Sequence, residues 1–396
     1  MKKRISFVCF AIGLFFISCD KQEPMGDVIE RGLQTATQQA LLMAQELESQ
    51  EGKLPKTIKP DGTLETGNYG WWCSGFFPGE LWYLYENDPT AELMAYAGLY
   101  TSRVEPAKSL TNTHDLGFML FCSFGNGYRI TQDPHYKEVL ITGAHSLATR
   151  YSPTVCAIKS WDSNKDVWQY PVIIDNMMNL ELFTWASEET GNKMFREIAD
   201  SHAMKTIENH FRPDFSSFHV VSYDTLTGKA HIKQTHQGFS DESAWARGQA
   251  WGLYGYTMMA RETGNNEYLA QARNIAGFLM NHPNLPADKI PYWDFDAPVS
   301  ADTPRDASAA AIMASALIEL SQLDKGTFGK QCLELAEQQI RSLSSPAYLA
   351  EPGTNRYFTL MHATGHFPGN SEVDVPLSYA DYYYVEALLR LKKLIG

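Results

Sequence analysis

Apolar residues recur with a helical period along most of the chain, and long alternating runs of the strand type are scarce. The first helix is predicted over Asp27 to Glu48. A unit then repeats: an aromatic-rich helix, a short turn built on Asp-Pro or Thr-Gly-Asn, an aromatic residue and a second amphipathic helix. Its turns are Asn87-Asp88-Pro89, Gln132-Asp133-Pro134, Thr190-Gly191-Asn192, Thr263-Gly264-Asn265 and Asp324-Lys325-Gly326. Five such hairpins, with helices at both ends of the chain to close them, predict an all-α ring of six hairpins. Their spacing of roughly 45 to 75 residues is too irregular for an open solenoid of identical units. In a closed ring the inner helices are apolar on all sides and the long loops gather at one end. One such loop, His219 to Lys229, alternates around Asp224-Thr-Leu-Thr-Gly228 and predicts a short β-hairpin.

Two predicted inner helices open on a carboxylate. In Tyr170-Pro-Val-Ile-Ile-Asp175-Asn176-Met-Met-Asn an apolar run leads into Asp175, and Leu180, Leu182, Phe183 and Trp185 follow on nearly every helical face. In Thr113-His114-Asp115-Leu-Gly-Phe-Met-Leu-Phe121 the second carboxylate stands in the same position. Two readings stay open for each. The carboxylate caps orphan amides and complements the helix dipole, or the pair faces one cavity and does chemistry.

Composition narrows the classes. At 396 residues the chain has no Ser/Gly/Pro-rich linker or charge block, so one large domain over residues 27–396 is expected. Lys2, Lys3 and Arg4 precede an apolar run from Ile5 to Ile17, which is the pattern of a secretory signal over 1–18. Cys19, followed by Asp20-Lys21-Gln22, resembles the lipidated first residue of a bacterial lipoprotein, with 19–26 as tether. An ordinary signal with an incidental cysteine is the alternative. Loss of the signal leaves thirty Lys and Arg against forty-six Asp and Glu, about −16, which argues against nucleic acid and anionic membrane surfaces as partners. Cys73, Cys122, Cys156 and Cys332 are widely spaced with no zinc-type pattern, so no metal is expected.

The predicted loops hold the unusual residues: Trp72, Trp161, His219, His236, Gln237 and the run Trp245-Ala-Arg247-Gly-Gln-Ala-Trp251. Arg247 and Trp251, four apart, share a helical face. Tryptophan faces that stack on pyranose rings, beside an arginine fork that grips a carboxylate, make a sugar-binding composition. Core packing is the plainer role for any one of these tryptophans.

Taken together, Trp72-Cys-Ser-Gly-Phe, His114-Asp115-Leu-Gly-Phe, Asp175-Asn-Met-Met-Asn, Thr235-His236-Gln237-Gly, Trp245-Ala-Arg247-Gly-Gln-Ala-Trp251 and Arg305-Asp306-Ala-Ser-Ala resemble the unsaturated glucuronyl hydrolases of glycoside hydrolase family 88, from about Gln34 to the C-terminus. The resemblance implies an (α/α)6 barrel, with Asp175 as general acid/base and Asp115 assisting. It implies substrate contacts at Trp72, His114, Trp161, Asn176, His219, His236, Gln237, Arg247 and Trp251, and no cofactor. The substrate it implies is a 4,5-unsaturated glucuronic acid at the non-reducing end of a lyase-made oligosaccharide, with glycosaminoglycan disaccharides foremost. Such a vinyl ether is hydrated, and Asp175 must then hold a proton near neutral pH through burial or the Asp115 charge. An unsaturated rhamnogalacturonyl hydrolase of family 105, a sugar 2-epimerase using His219 and His236, and a sugar-binding lipoprotein are the alternatives. Two departures stand out. Cys73-Ser74 replaces a frequent Thr-Asp, and Leu360 to Asp374 lacks the basic cluster that would suggest sulfate recognition. The expected location is the cell envelope, with Cys19 as lipid anchor.

Overall fold

The computed structural model describes residues 22–396. Twelve α-helices run through them: α1 (Met25–Leu47), α2 (Phe76–Asn87), α3 (Ala91–Val104), α4 (Asn126–Thr131), α5 (Pro134–Ala148), α6 (Leu180–Thr190), α7 (Lys193–His210), α8 (Ala246–Thr263), α9 (Asn266–Asn281), α10 (Ala307–Leu323), α11 (Thr327–Leu343) and α12 (Ser378–Ile395). A π-helix over Gly117–Gly125 precedes α4, and a 3-10 helix over Ile174–Asn179 precedes α6. Consecutive helices pack in pairs, and the two ends of the chain supply the sixth pair, α12 with α1. The first members also touch in order, from α2 through the π-helix, α6, α8 and α10 to α12 and back to α2. This closed inner ring is an (α/α)6 barrel.

Residue pattern decides which helix goes inside. Every residue of α8 from Ala246 to Ala260 and of α12 from Ser378 to Leu389 is buried. Helices apolar on all faces have no other stable place. The outer α11 instead buries Gly329, Cys332, Leu335, Ala336, Gln339, Ile340 and Leu343, one stripe at helical spacing. The turns follow their composition. Gly191 and Gly264 end α6 and α8 with φ of +70° and +66°, where a Cβ would be strained. Asn192 and Asn265 then cap the next helices, accepting from Met194 N at 3.1 Å and Glu267 N at 2.9 Å.

Small antiparallel sheets decorate the mouth where the inner helices begin. These are β1 (Leu54–Ile58) with β2 (Leu64–Gly67), β3 (Tyr151–Ser152) with β4 (Ala157–Ile158), a three-stranded sheet of β5 (Pro171–Ile173), β6 (Val220–Tyr223) and β7 (Ala230–Gln234), and β8 (Ala363–His366) with β9 (Ser371–Val375). The hairpin predicted around Asp224 is β6–β7, and the apolar run ahead of Asp175 joins it as β5. The four described cysteines form no disulfide with one another. Cys19 lies outside the described residues.

The two carboxylate-bearing segments are drawn together at one close contact. Phe118 N donates to Asn179 Oδ1 at 3.0 Å, which satisfies an orphan amide of the π-helix from the neighbouring segment. Gly117 allows the approach, because a Cβ there would lie 2.5 Å from the Asn179 Cα. Gly117→Ala should therefore cost about 1–3 kcal/mol of stability through overpacking. The check is the denaturant midpoint, with an unchanged slope, and a midpoint equal to wild type would show that the contact is slack.

Candidate active site

The two mouths of the barrel differ in what their buried polar groups do. At the mouth where the inner helices end lies a cavity of about 500 Å³, lined by Tyr83, Phe121, Trp185, Glu181, Glu386 and Arg390 among others. Its charges are spent on each other. Arg261 pairs with Glu181, Glu262 and Glu319, and Arg390 pairs with Glu319 at 3.1 Å and Glu386 at 3.3 Å. Glu386 also accepts from Tyr83 at 2.8 Å, Tyr254 at 2.9 Å and Ser315 at 2.5 Å. Arginines near the C-terminal ends of α8 and α12 suit the negative pole of those helices. The network holds the far mouth together.

At the opposite mouth the buried polar atoms are left over. His114 Nδ1, Trp161 Nε1, Asp175 Oδ2, Asn176 Oδ1, His219 Nε2 and Trp251 Nε1 are buried with no hydrogen-bond partner. Unpaired groups of this kind are costly, so their gathering in one place marks a site held ready for a ligand. The far mouth offers a cavity but no free partners; the orphaned groups are here, and a ligand must be met by unspent donors and acceptors.

Local structure places each member. Asp175 sits in the first turn of the 3-10 helix, 8% exposed, and its orphaned Oδ2 performs no capping. Asp306 is the carboxylate that caps, accepting at the start of α10 from Ser308 N at 3.1 Å and Ala309 N at 3.3 Å. The β5–β6 pairing carries Asp175 to His219, since Ile173 faces Val220 and Ile174 N donates to His219 O at 3.1 Å. His219 Nε2 then stands 3.8 Å from Asp175 Oδ2. His219 Nδ1 accepts from His236 N and Gln237 N, both at 3.1 Å, so its proton belongs on Nε2 and faces the carboxyl. Burial pushes the His219 imidazole well below its ordinary value, and His236 and Arg247 add to that, so the ring is neutral.

Burial pushes the Asp175 carboxyl up to about 7; the Arg247 charge opposes the rise and the Asp115 charge adds to it. The Trp251 N–H lies near enough to favour the carboxylate, although it makes no full hydrogen bond. Asp115 precedes the π-helix, held by Thr113 Oγ1 at 2.6 Å and by His114 Nε2 at 3.2 Å. His114 is itself pushed down by burial, with the Asp115 charge pulling the other way. Ser160 ties this corner to the rest, accepting from His114 N at 3.2 Å and donating to Pro171 O at 2.8 Å. Asn176, fully buried, donates to Ile158 O at 2.9 Å.

The aromatic residues divide by exposure. Trp72 is half-buried against Phe118 and Tyr379, with centroids at 5.5 and 4.9 Å, and Trp161 lies 5.7 Å from the His236 ring. Trp251 is wholly buried against Phe118 and Tyr383, so only its N–H edge is available to the site. Arg247 lies elsewhere than on an open wall. It is 2% exposed, and its fork bonds Asp306 Oδ2 at 3.2 Å, Gly365 O at 2.6 Å and Thr364 O. The acceptors expected of a substrate carboxylate are supplied by the protein, because a buried guanidinium needs fixed counter-charge. Arg247 thereby clamps the β8–β9 hairpin, and Gln237 Nε2 donates to the same Gly365 O at 3.1 Å.

Sequence reasoning passed over Trp168, Trp245 and His366. Trp245 lies under both His219, at 4.4 Å, and Arg247, at 4.5 Å, while the His366 ring is 4.9 Å from that of His236. Trp245 stood inside a quoted motif and was legible there; His366, 130 residues from His236, left no signal. Ser74 is buried and donates to Tyr69 O at 3.2 Å, adding no charge. Among the described residues no group of three or more His, Cys, Asp or Glu is placed to hold a metal ion.

Comparison with known proteins agrees with this fold. The model of Glycosyl Hydrolase Family 88 matches residues 43–390. The chain belongs to glycoside hydrolase family 88. It is 50% identical over 327 residues to an unsaturated glucuronyl hydrolase of Formosa agariphila, covering 82% of this chain and 80% of that one. It is 32% identical to an unsaturated chondroitin disaccharide hydrolase of Streptococcus pneumoniae, covering 81% and 82%. The crystal structure of an unsaturated glucuronyl hydrolase specific for heparin superposes with a TM-score of 0.90 at 48% identity, over 93% of this chain and 98% of that one. The family 88 chain described here is a glycosidase of the unsaturated glucuronyl hydrolase type.

A carboxyl that loses its proton near pH 7 predicts the alkaline limb of the pH–rate profile. If Asp175 must donate a proton, kcat/KM should fall as pH rises through about 7. Asp115→Asn removes a charge that raises the Asp175 value, so the limb should move to lower pH. A pH–rate profile of both proteins checks this, and a limb unmoved by the substitution would uncouple the two carboxyls.

Proposed function

We propose that the protein removes a 4,5-unsaturated glucuronic acid from the non-reducing end of lyase-generated oligosaccharides by hydrating its vinyl ether, with Asp175 as general acid/base. The observation that carries this reading is the buried Asp175 carboxyl, pushed up to about 7, with an unpaired Oδ2 facing the neutral His219. The carboxyl gives its proton to C4, and positive charge spreads over C5 and the ring oxygen. The resulting Asp175 carboxylate takes a proton from water as the water oxygen bonds to C5. The hemiketal so formed opens, and the aglycone leaves with its oxygen. Asp115 keeps the proton on Asp175 through its charge, and His219 offers Nε2–H to the carboxylate produced by the first step. General acid/base catalysis of this kind contributes about 10²- to 10⁴-fold. Because water adds to C5 rather than to the anomeric carbon, no covalent glycosyl-enzyme is required, and carboxylate separation does not predict stereochemistry.

Glycosaminoglycan disaccharides are the proposed substrates, supported by the names of relatives that act on chondroitin disaccharides and on heparin. The deciding assay is loss of ultraviolet absorbance as the C4=C5 bond disappears, across unsaturated chondroitin, hyaluronan and heparin disaccharides. Asp175→Asn should fold and melt like wild type yet lose roughly a thousandfold in rate. A well-folded, fully active Asp175→Asn protein sinks the mechanism, and a wild type that bleaches none of these substrates sinks the function.

We further propose that Cys19 is lipidated and anchors the protein at the cell envelope, where lyase products arrive. The support is the basic start, the apolar run and the polar residues after Cys19. Cys19→Ala should release the protein from the membrane fraction. Unchanged fractionation, or a mature N-terminus elsewhere, counts against it.

A further inference from the structure

Beside the reaction pocket lie large apolar side chains that the proposed chemistry does not use. Phe239 is 49% exposed and Phe367 is 40% exposed, and both rest on one buried tryptophan, Trp293. Phe367 stacks on it with centroids 4.4 Å apart and planes 25° from parallel, and Phe239 meets it edge-on at 6.4 Å. A scattered exposed phenylalanine needs no explanation, but two that converge on a common floor form a surface.

The backbone beneath the surface is tied down by hydrogen bonds. Phe239 N donates to Asp294 Oδ2 at 2.9 Å, Trp293 N donates to Pro304 O at 3.1 Å, and Ala246 N donates to Trp293 O at 3.1 Å. Phe367 follows β8, whose Gly365 carbonyl is held by both Arg247 and Gln237. The surface is also continuous with the pocket. From Asp175 the path runs to His219 Nε2 at 3.8 Å, to the His236 ring at 6.3 Å from that of His219, and to the His366 ring at 4.9 Å. Phe367 is the next residue.

We propose that Phe239 and Phe367, seated on Trp293, form an accessory subsite that stacks the third or a later sugar ring of an oligosaccharide longer than a disaccharide. The inference rests on the reading of the pocket given above. Because the reacting unit is terminal, the second ring of a disaccharide falls at the His236–His366 rim, and only rings beyond it reach the surface that follows. Aromatic faces suit the C–H face of a pyranose, and a platform ordered beforehand spends little entropy on binding.

Kinetics on an unsaturated disaccharide and an unsaturated tetrasaccharide of the same polymer test it. The wild type should show the lower KM for the tetrasaccharide. Phe239→Ala, Phe367→Ala and the double variant should raise that KM roughly three- to tenfold, leaving kcat and both disaccharide constants within about twofold. Equal loss on both substrates, or no loss on either, overturns the subsite. A change of oligomeric state in the variants by light scattering also overturns it, because the surface would then be an interface between copies. Calorimetric binding of the tetrasaccharide to Asp175→Asn, with and without the two phenylalanines, judges the platform independently of turnover. If the wild type cleaves neither substrate, the proposed function fails while this comparison still decides the subsite.

Discussion

A carboxyl oxygen buried without a partner is the constraint on which the rest of this molecule turns. Asp175 Oδ2 would be satisfied at little structural cost by one more hydroxyl or amide, and the fold withholds it. The consequence is a carboxyl that keeps its proton up to about pH 7. Everything around it sustains that state. β5 fixes its backbone, the two amides on His219 Nδ1 set the facing tautomer, and the nearby Arg247 charge is spent on Asp306 and two carbonyls. A free guanidinium at that position would favour the ionised carboxylate.

The barrel makes this affordable by separating two kinds of burial. Inner helices that all start at one mouth end at the other, where carbonyl ends and the negative dipole pole gather. Arg261 and Arg390 meet that pole and the buried glutamates, so the far mouth is satisfied within itself. The unpaired site groups lie at the near mouth. The nonstandard windings are there too: a π-helix and a 3-10 helix carry the two segments that follow Asp115 and contain Asp175, and Asn179 stitches them together. Helical irregularity of this sort often accompanies functional sites, and here it sets where the carboxyls stand relative to the ring.

Arg247 changes how the β8–β9 hairpin is understood. The hairpin is distant in sequence from the other site residues, yet the arginine, Gln237 and His366 bind it to the loop around His236. The rim is thus built on loops held to a rigid helical scaffold, the division expected of a pocket on such a barrel.

Periodicity and turn chemistry by themselves determined the ring of hairpins, because a helix apolar on all faces has only the inside to go to, and Gly191-Asn192 and Gly264-Asn265 each dictate a left-handed stop and a capped restart. The two carboxylates were legible for the same reason, as polar residues at the heads of wholly apolar helices. The hairpin around Asp224 was legible from its alternation and turn. What the chain in one dimension left open was the job of each carboxylate, since capping and catalysis use the same residue type at the same position. Tertiary packing shows where capping occurs, giving Asp306 two amides at the head of α10 and leaving Asp175 Oδ2 without a partner. It likewise turned the Arg247 fork inward, brought His366 to His236 and wound the segment after Asp115 as a π-helix. Each of these depends on which neighbour supplies a partner in three dimensions, and no local pattern carries that information.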